Sequence, residues 1–172
     1  MEAAGPAIFV GRRSELGLLE AALQDAHHER TRFVLISGEA GIGKTRLAME
    51  LSAIAEASGA RVSWGRCWDG EGSPAYWPFV QVFRALGQPL VVPSAIAEEA
   101  RFALLDSAVL RLSMASSTGT QVLVLDDLHW ADGASLLLLK LLARTLTDAR
   151  LLVVGTVRDV DARMRRAAAC ER

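Results

Sequence analysis

One octet constrains this chain more than anything else in it: Gly38-Glu39-Ala40-Gly41-Ile42-Gly43-Lys44-Thr45. Its spacing is G-x-x-x-x-G-K-[ST] at every fixed position. A short apolar run, Arg32 to Ser37, precedes it and reads as a buried parallel strand. Lys44 to Ser58 follows as a helix, with Leu47, Leu51, Ile54 and Ala55 on one face and Gly59 as its stop. Strand, glycine loop and helix in this order make an anion cradle. Glycines let the backbone aim its N–H groups inward at phosphate oxygens. The first turn of the helix adds unpaired N–H groups and the positive end of its dipole. Lys44 contributes a mobile charge that reaches β- and γ-phosphates, and Thr45 a hydroxyl that can ligate Mg²⁺. A glycine-rich turn that holds nothing is the competing reading, and it explains neither the Lys-Thr pair nor its context. Gly38 through Thr45 are therefore the expected nucleotide-phosphate residues, with Lys44 also catalytic.

Two further strand ends fit the same site. Val122-Leu123-Val124-Leu125 is a buried strand that ends in two carboxylates, Asp126 and Asp127. Ligands of open α/β sheets bind beyond the carboxyl ends of the strands. This predicts Asp126 as a Mg²⁺ partner alongside Thr45, and Asp127 as the group that orients or deprotonates an attacking water. Alone the pattern is weak; after a phosphate loop it gains force. The strand Leu151 to Thr156 ends in Thr156-Val157-Arg158, where Thr156 or Arg158 can face a γ-phosphate.

The rest of the chain alternates strand-like and helical runs, the pattern of an α/β domain. Leu16, Leu19 and Leu23 give a first helix over Glu15–Gln24, with Ser14 as N-cap. Arg61–Cys67 reads as a strand, Trp68–Pro78 as a structured loop and Phe79–Leu86 as a helix. Ser94–Ala115 reads as one or two helices. Ala134–Leu146, capped by Asp132, is apolar almost all round and should be heavily buried. Trp64, Trp68 and Trp77 read as packing anchors, and His129 as structural.

With 172 residues, 51 % of them hydrophobic, the chain is sized for one globular domain and too apolar for disorder. A net charge of -1 removes the usual footprint of a nucleic-acid or anionic-membrane binder. No run approaches the ~20 apolar residues of a membrane span, and the first residues lack a secretory pattern, so a cytoplasmic setting is expected by default. The two cysteines, Cys67 and Cys170, sit in no zinc-like cluster and read as reduced thiols.

Taken together, the phosphate loop, the string Leu125-Asp126-Asp127-Leu128-His129-Trp130-Ala131-Asp132 and Thr156-Val157-Arg158 occur in one order. So do Phe9-Val10-Gly11-Arg12, with Glu15 beyond it, and the stretch from Gly65-Arg66-Cys67-Trp68 to Tyr76-Trp77-Pro78. This combination resembles the nucleotide-binding domain of the STAND branch of AAA-related P-loop ATPases. More narrowly it is similar to the ATPase module of large bacterial LuxR-type transcriptional regulators. The resemblance covers about residues 7–161, with 162–172 as a tail on the single domain 1–172. It implies ATP and Mg²⁺ as ligands and places Val10 and Arg12 beside the adenine. It also implies three layers, α/β/α, around a mostly parallel, five-stranded sheet whose phosphate-loop strand lies between the Leu151 strand and a last one. Only four strands are legible, and no lid subdomain or helix-turn-helix, so the domain reads as incomplete at its C-terminal end, with an open sheet edge that invites self-association. The expected function is an ATP-binding, slowly hydrolysing switch in a signalling or transcription-regulatory protein. Its alternative is a non-catalytic interaction module. A small-molecule kinase is disfavoured for want of an acceptor site, and direct DNA binding for want of a recognition helix.

Overall fold

The structure is a computed structural model that describes residues 12–70, 72–92 and 98–158. The described chain runs α1 (Arg13–His27), β1 (Arg32–Gly38), α2 (Lys44–Ala57), β2 (Arg61–Arg66), α3 (Trp77–Ala85), α4 (Glu98–Thr118), β3 (Gln121–Asp126), a 3₁₀ turn (Leu128–Trp130), α5 (Gly133–Thr145) and β4 (Leu151–Arg158). All three strand pairs are parallel, in the order β1-β4-β3-β2. The four strands match the four expected. The residues after Asp161, where the resemblance would put a fifth strand, lie outside the described residues.

The strand period of two sorts the central side chains onto two faces. Val122, Val124, Leu152 and Val154 point to a core built with α1 and α2, through Leu19, Leu23, Leu47 and Leu51. Leu123, Leu125, Leu151 and Val153 point the other way, to a core built with α3, α4 and α5 through Phe79, Phe83, Leu112, Leu138 and Leu142. Both faces of β3 and β4 are thus dry, which is why those strands read as unbroken apolar runs. The three-layer α/β/α architecture is the one expected.

Burial departs from expectation in three places. β1 is parallel but lies at the edge of the described sheet: Leu35 is 58 % exposed and only Ile36 is buried. α5 buries one stripe, Ser135, Leu138 and Leu142, in the core it shares with α3, α4 and the sheet, and leaves Leu136 and Leu137 exposed. Of the three tryptophans expected to anchor packing, Trp64 packs against the α1–α2 core and Trp77 is half-buried, but Trp68 is exposed; the fully buried aromatics are Tyr76, Phe79 and Phe83. The start of α1 also differs. Arg12, at positive φ, occupies the cap position, and the Ser14 hydroxyl bonds the Glu15 carboxylate rather than the helix backbone.

Two glycines set how closely the layers approach. A Cβ on Gly65 would stand 2.2 Å from the Pro78 carbonyl oxygen, so α3 can lie on β2 only over a glycine. One on Gly155 would stand 2.3 Å from a Leu128 methyl, so the turn after β3 can cover β4 only there.

Candidate functional site

The carboxyl ends of β1, β3 and β4 meet at one edge, and the sequence explains why. β1 ends at Gly38 and turns through a loop whose Gly41 and Gly43 both take positive φ, a region closed to most side chains. Gly43 then caps α2, and Lys44 and Thr45 open its first turn. The Lys44 side chain is buried and folds back across the loop. Its Nζ donates to the carbonyls of Gly38 (2.9 Å) and Glu39 (2.8 Å). The ammonium is therefore held over the cradle by neutral acceptors, which an anion can displace.

Asp126, at the end of β3, is 1 % exposed and fully engaged. Its Oδ1 accepts from Thr45 Oγ1 (3.0 Å) and Thr156 Oγ1 (2.7 Å), while its Oδ2 pairs with Arg66 Nη2 at 3.2 Å. The Thr156 hydroxyl in turn accepts from the Asp127 amide at 2.8 Å. Thr156 thus clasps the two acids together and is fully buried. Of the two residues expected at the β4 end, Thr156 has its hydroxyl engaged within the fold, and Arg158 lines the cavity at the front of the site. Asp127 itself takes positive φ, a conformation aspartate tolerates better than most. That kink turns the chain out of β3 and sends the Asp127 carboxylate to the front of the site.

There a cavity of about 300 Å³ is lined by Ala40, Gly41, Gly43, Lys44, Thr45, Asp127 and Arg158. The fold thereby brings together the loop, both candidate catalytic residues and the β4 arginine. Arg12 and Ile42 lie elsewhere: they line a neighbouring, mostly apolar cavity of about 360 Å³ between α1 and β1, with Leu35, Ile36 and Leu47. Glu39 contributes its carbonyl to Lys44 rather than its side chain. Val10 lies outside the described residues.

The charges of the site act on its neighbours. Burial, reinforced by Asp132, Asp127 and Asp126, pushes the Cys67 thiol from 9.0 up to about 12, which makes it an inert thiol at neutral pH. Burial also lowers the pKa of His129, against the pull of Asp127, whose Oδ1 lies 3.9 Å from Nδ1. Both His129 ring nitrogens are buried without a hydrogen-bond partner.

The donor set also bears on a metal. Thr45 Oγ1 and the Asp126 carboxylate are oxygen ligands in contact, a hard pair suited to Mg²⁺. No group of three or more His, Cys, Asp or Glu able to hold a metal occurs among the described residues. The two oxygens fit a cation that brings further ligands with it, as Mg²⁺ does on phosphates.

Sequence alone missed two supports. Arg66 reaches Asp126 from β2, across a parallel register that pairs the two residues and that no local pattern marks. Asp132 was expected to cap α5 and does, accepting from the Ser135 amide at 2.8 Å. The same oxygen also accepts from the Tyr76 amide at 3.2 Å, tying the start of α3 to the acidic turn. No local pattern marks that second bond.

A phosphate loop on β1, a hydroxyl–carboxylate pair across to β3 and a lysine over the cradle define a P-loop nucleoside-triphosphatase domain. The AAA ATPase domain family matches residues 8–154, and the chain belongs to that family. A search of the curated proteins finds no match. Among solved structures the fold resembles the Aeropyrum pernix ORC2 protein in its ADPNP-ADP complexes, at 20 % identity and a TM-score of 0.58 over 93 % of this chain and 44 % of that one. It resembles Drosophila ORC bound to DNA at 19 % and 0.66, over 95 % of this chain and 42 % of that one. Cdc6p from Pyrobaculum aerophilum aligns at 20 % and 0.65, over 92 % and 42 %. The chain thus spans less than half the length of these structures.

Proposed function

We propose that this domain is an ATP-driven switch, binding Mg²⁺·ATP at the β1–α2 loop and hydrolysing it slowly within a larger signalling or regulatory protein of the STAND type. The observation that carries the reading is the cavity in which Lys44, Thr45, Asp127 and Arg158 converge beside the Thr45–Asp126 pair. Loop amides and the start of α2 would bind the phosphates. Lys44 would leave the Gly38 and Glu39 carbonyls for phosphate oxygens. Thr45 and Asp126 would hold Mg²⁺, which supplies charge neutralisation at the phosphates when bound. Asp127 would orient the attacking water and take its proton, and Arg158 would meet the γ-phosphate. The apolar cavity beside Arg12 and Ile42 supports a base site there, with Val10 and Arg12 framing adenine as the family resemblance implies. ATP then shifts the protein between states only as far as it binds one more tightly. The LuxR-type regulator is the finer form of this reading, supported by the Leu125–Asp132 string and the Tyr76-Trp77-Pro78 segment. Direct DNA contact by these 172 residues is not part of it, since their net charge of -1 offers little attraction for a duplex.

Calorimetry of Mg²⁺·ATP binding, with Lys44→Ala as control, tests the proposal. Removing a hydrogen-bonded charge costs about 1.5–3 kcal/mol, so affinity should fall by about 10- to 150-fold. Asp127→Ala should spare binding and slow phosphate release. Equal turnover in wild type and Asp127→Ala removes Asp127 from the mechanism. One observation favours a second reading, a non-catalytic interaction module: the exposed β1 edge with Phe33 and Leu35. A folded chain that binds no nucleotide and self-associates would select it.

A further inference from the structure

The Arg66–Asp126 pair is asymmetric in a way that packing alone does not require. Asp126 is 1 % exposed, whereas the Arg66 side chain is 63 % exposed. Arg66 takes Oδ2, while the best hydrogen bonds of Thr45 and Thr156 both go to Oδ1. Thr45 reaches Oδ2 only at 3.4 Å, so Oδ2 is the less strongly hydrogen-bonded oxygen, and a guanidinium already sits against it. Among the described residues, Asp126 has no other ion-pair partner.

The rest of the local structure fixes the arginine's backbone, while its side chain extends beyond that clamp to Asp126. The Gln81 side chain on α3 clamps Arg66 on both sides, its Nε2 donating to the Arg66 carbonyl (2.8 Å) and its Oε1 accepting from the Arg66 amide (3.3 Å). Gly65, one residue before, is the point where Pro78 presses on β2. On its outer side Arg66 borders an open groove of about 610 Å³ between α2 and β2, lined also by Trp64, Glu56 and Gln81. The guanidinium thus has a fixed base, one buried acceptor and room to leave it.

We infer that Arg66 is the resident counter-ion of Asp126 in the metal-free domain, and that Mg²⁺ bound with nucleotide replaces it there. A buried carboxylate without a partner is costly, so the site needs a positive charge before its ligand arrives. A guanidinium left on Oδ2 would repel the incoming cation, so the two positive charges compete for one oxygen. Arg66 is in this sense a positioning residue that sets how much Mg²⁺ the site requires. The inference rests on the proposed function for the identity of the replacing ion, but not for the pair itself.

Two measurements on the 172-residue chain decide it. In EDTA without nucleotide, unfolding of wild type, Arg66→Gln, Asp126→Asn and the double variant forms a cycle. The arginine substitution should destabilise the wild-type chain and have little effect in the Asp126→Asn background. Additive losses would overturn the counter-ion role. Calorimetric titration of Mg²⁺ into nucleotide-saturated protein reads the exchange. Arg66→Gln should bind Mg²⁺ about 5- to 30-fold more tightly than wild type, and Arg66→Lys should stay closer to wild type. A merely structural role predicts the opposite sign, weaker Mg²⁺ in both variants, and an unchanged affinity in Arg66→Gln would also overturn the exchange. If wild type takes up nucleotide and only the Mg²⁺ dependence fails to shift, the proposed function stands and the exchange falls. If wild type takes up none, both the proposed function and the exchange fall, and the unfolding cycle still decides the pair.

Discussion

His129 shows how a side chain beside the site is held in one protonation state. Its two ring nitrogens are buried and unbonded, so an added proton gains no hydrogen bond inside the fold. The Asp127 carboxylate favours that proton, but burial outweighs it, and Arg158 and Lys44 oppose it further. The folded pKa therefore lies below the ~6.5 of a free histidine. As pH falls, the unfolded chain takes up the proton first. Stability that is fully present above about pH 6.5 is then lost as pH drops toward the folded value. Unfolding midpoints measured from pH 7.5 to 5.5 should fall in wild type and fall less in His129→Leu. Parallel slopes in the two chains would mean that another group carries the pH dependence.

At the scale of elements, the closest constraint is the crossing of α3 over β2. A methyl at Gly65 meets the backbone of Pro78, which cannot rotate away as a side chain would. Gly65→Ala should cost about 2–3 kcal/mol, the upper part of the range for overpacking. Gly17 is the contrast: in α1 a Cβ there meets nothing within 4 Å, so Gly17→Ala should add about 0.5–1 kcal/mol through helix propensity. Urea midpoints of the two variants check both signs. The same contrast explains what was legible in the sequence. The strands, the phosphate loop, the Asp132 cap and the Leu19–Leu23 face are local patterns, and each stands where the periodicity put it. The exposure of β1 and of one side of α5 depends on which elements pack against them, and no window of their own residues records that. The site divides in the same way. Lys44, Thr45, Asp127 and Arg158 converge because each ends or begins an element at one sheet edge. The burial of Thr156 in a clasp and the reach of Arg66 arise from strand neighbours 30 and 60 positions from Asp126, as do all such contacts between parallel strands.

For the whole molecule, the site is the place where the two cores are joined at their open end. β3 and β4 carry one core on each face, and their last residues hold the two acids, Thr156 and Arg158. α2 belongs to one core and α3 to the other, yet Thr45 and Arg66, tied to those helices, meet on the same Asp126 carboxylate. A ligand that engages the loop and Asp126 together should therefore resist unfolding of the entire domain rather than of one layer. At a free concentration of 100 Kd, binding to the folded state alone adds about 2.7 kcal/mol. For a chain of this size that corresponds to a rise in Tm of about 5–10 °C. Thermal unfolding against increasing Mg²⁺·ATP should show one transition moving upward in wild type and a nearly stationary one in Lys44→Ala. A wild-type transition that splits, with one part insensitive to ligand, would show that the two cores unfold separately and that the shared carboxylate does not couple them. A single transition that ignores ligand would instead remove nucleotide from the site.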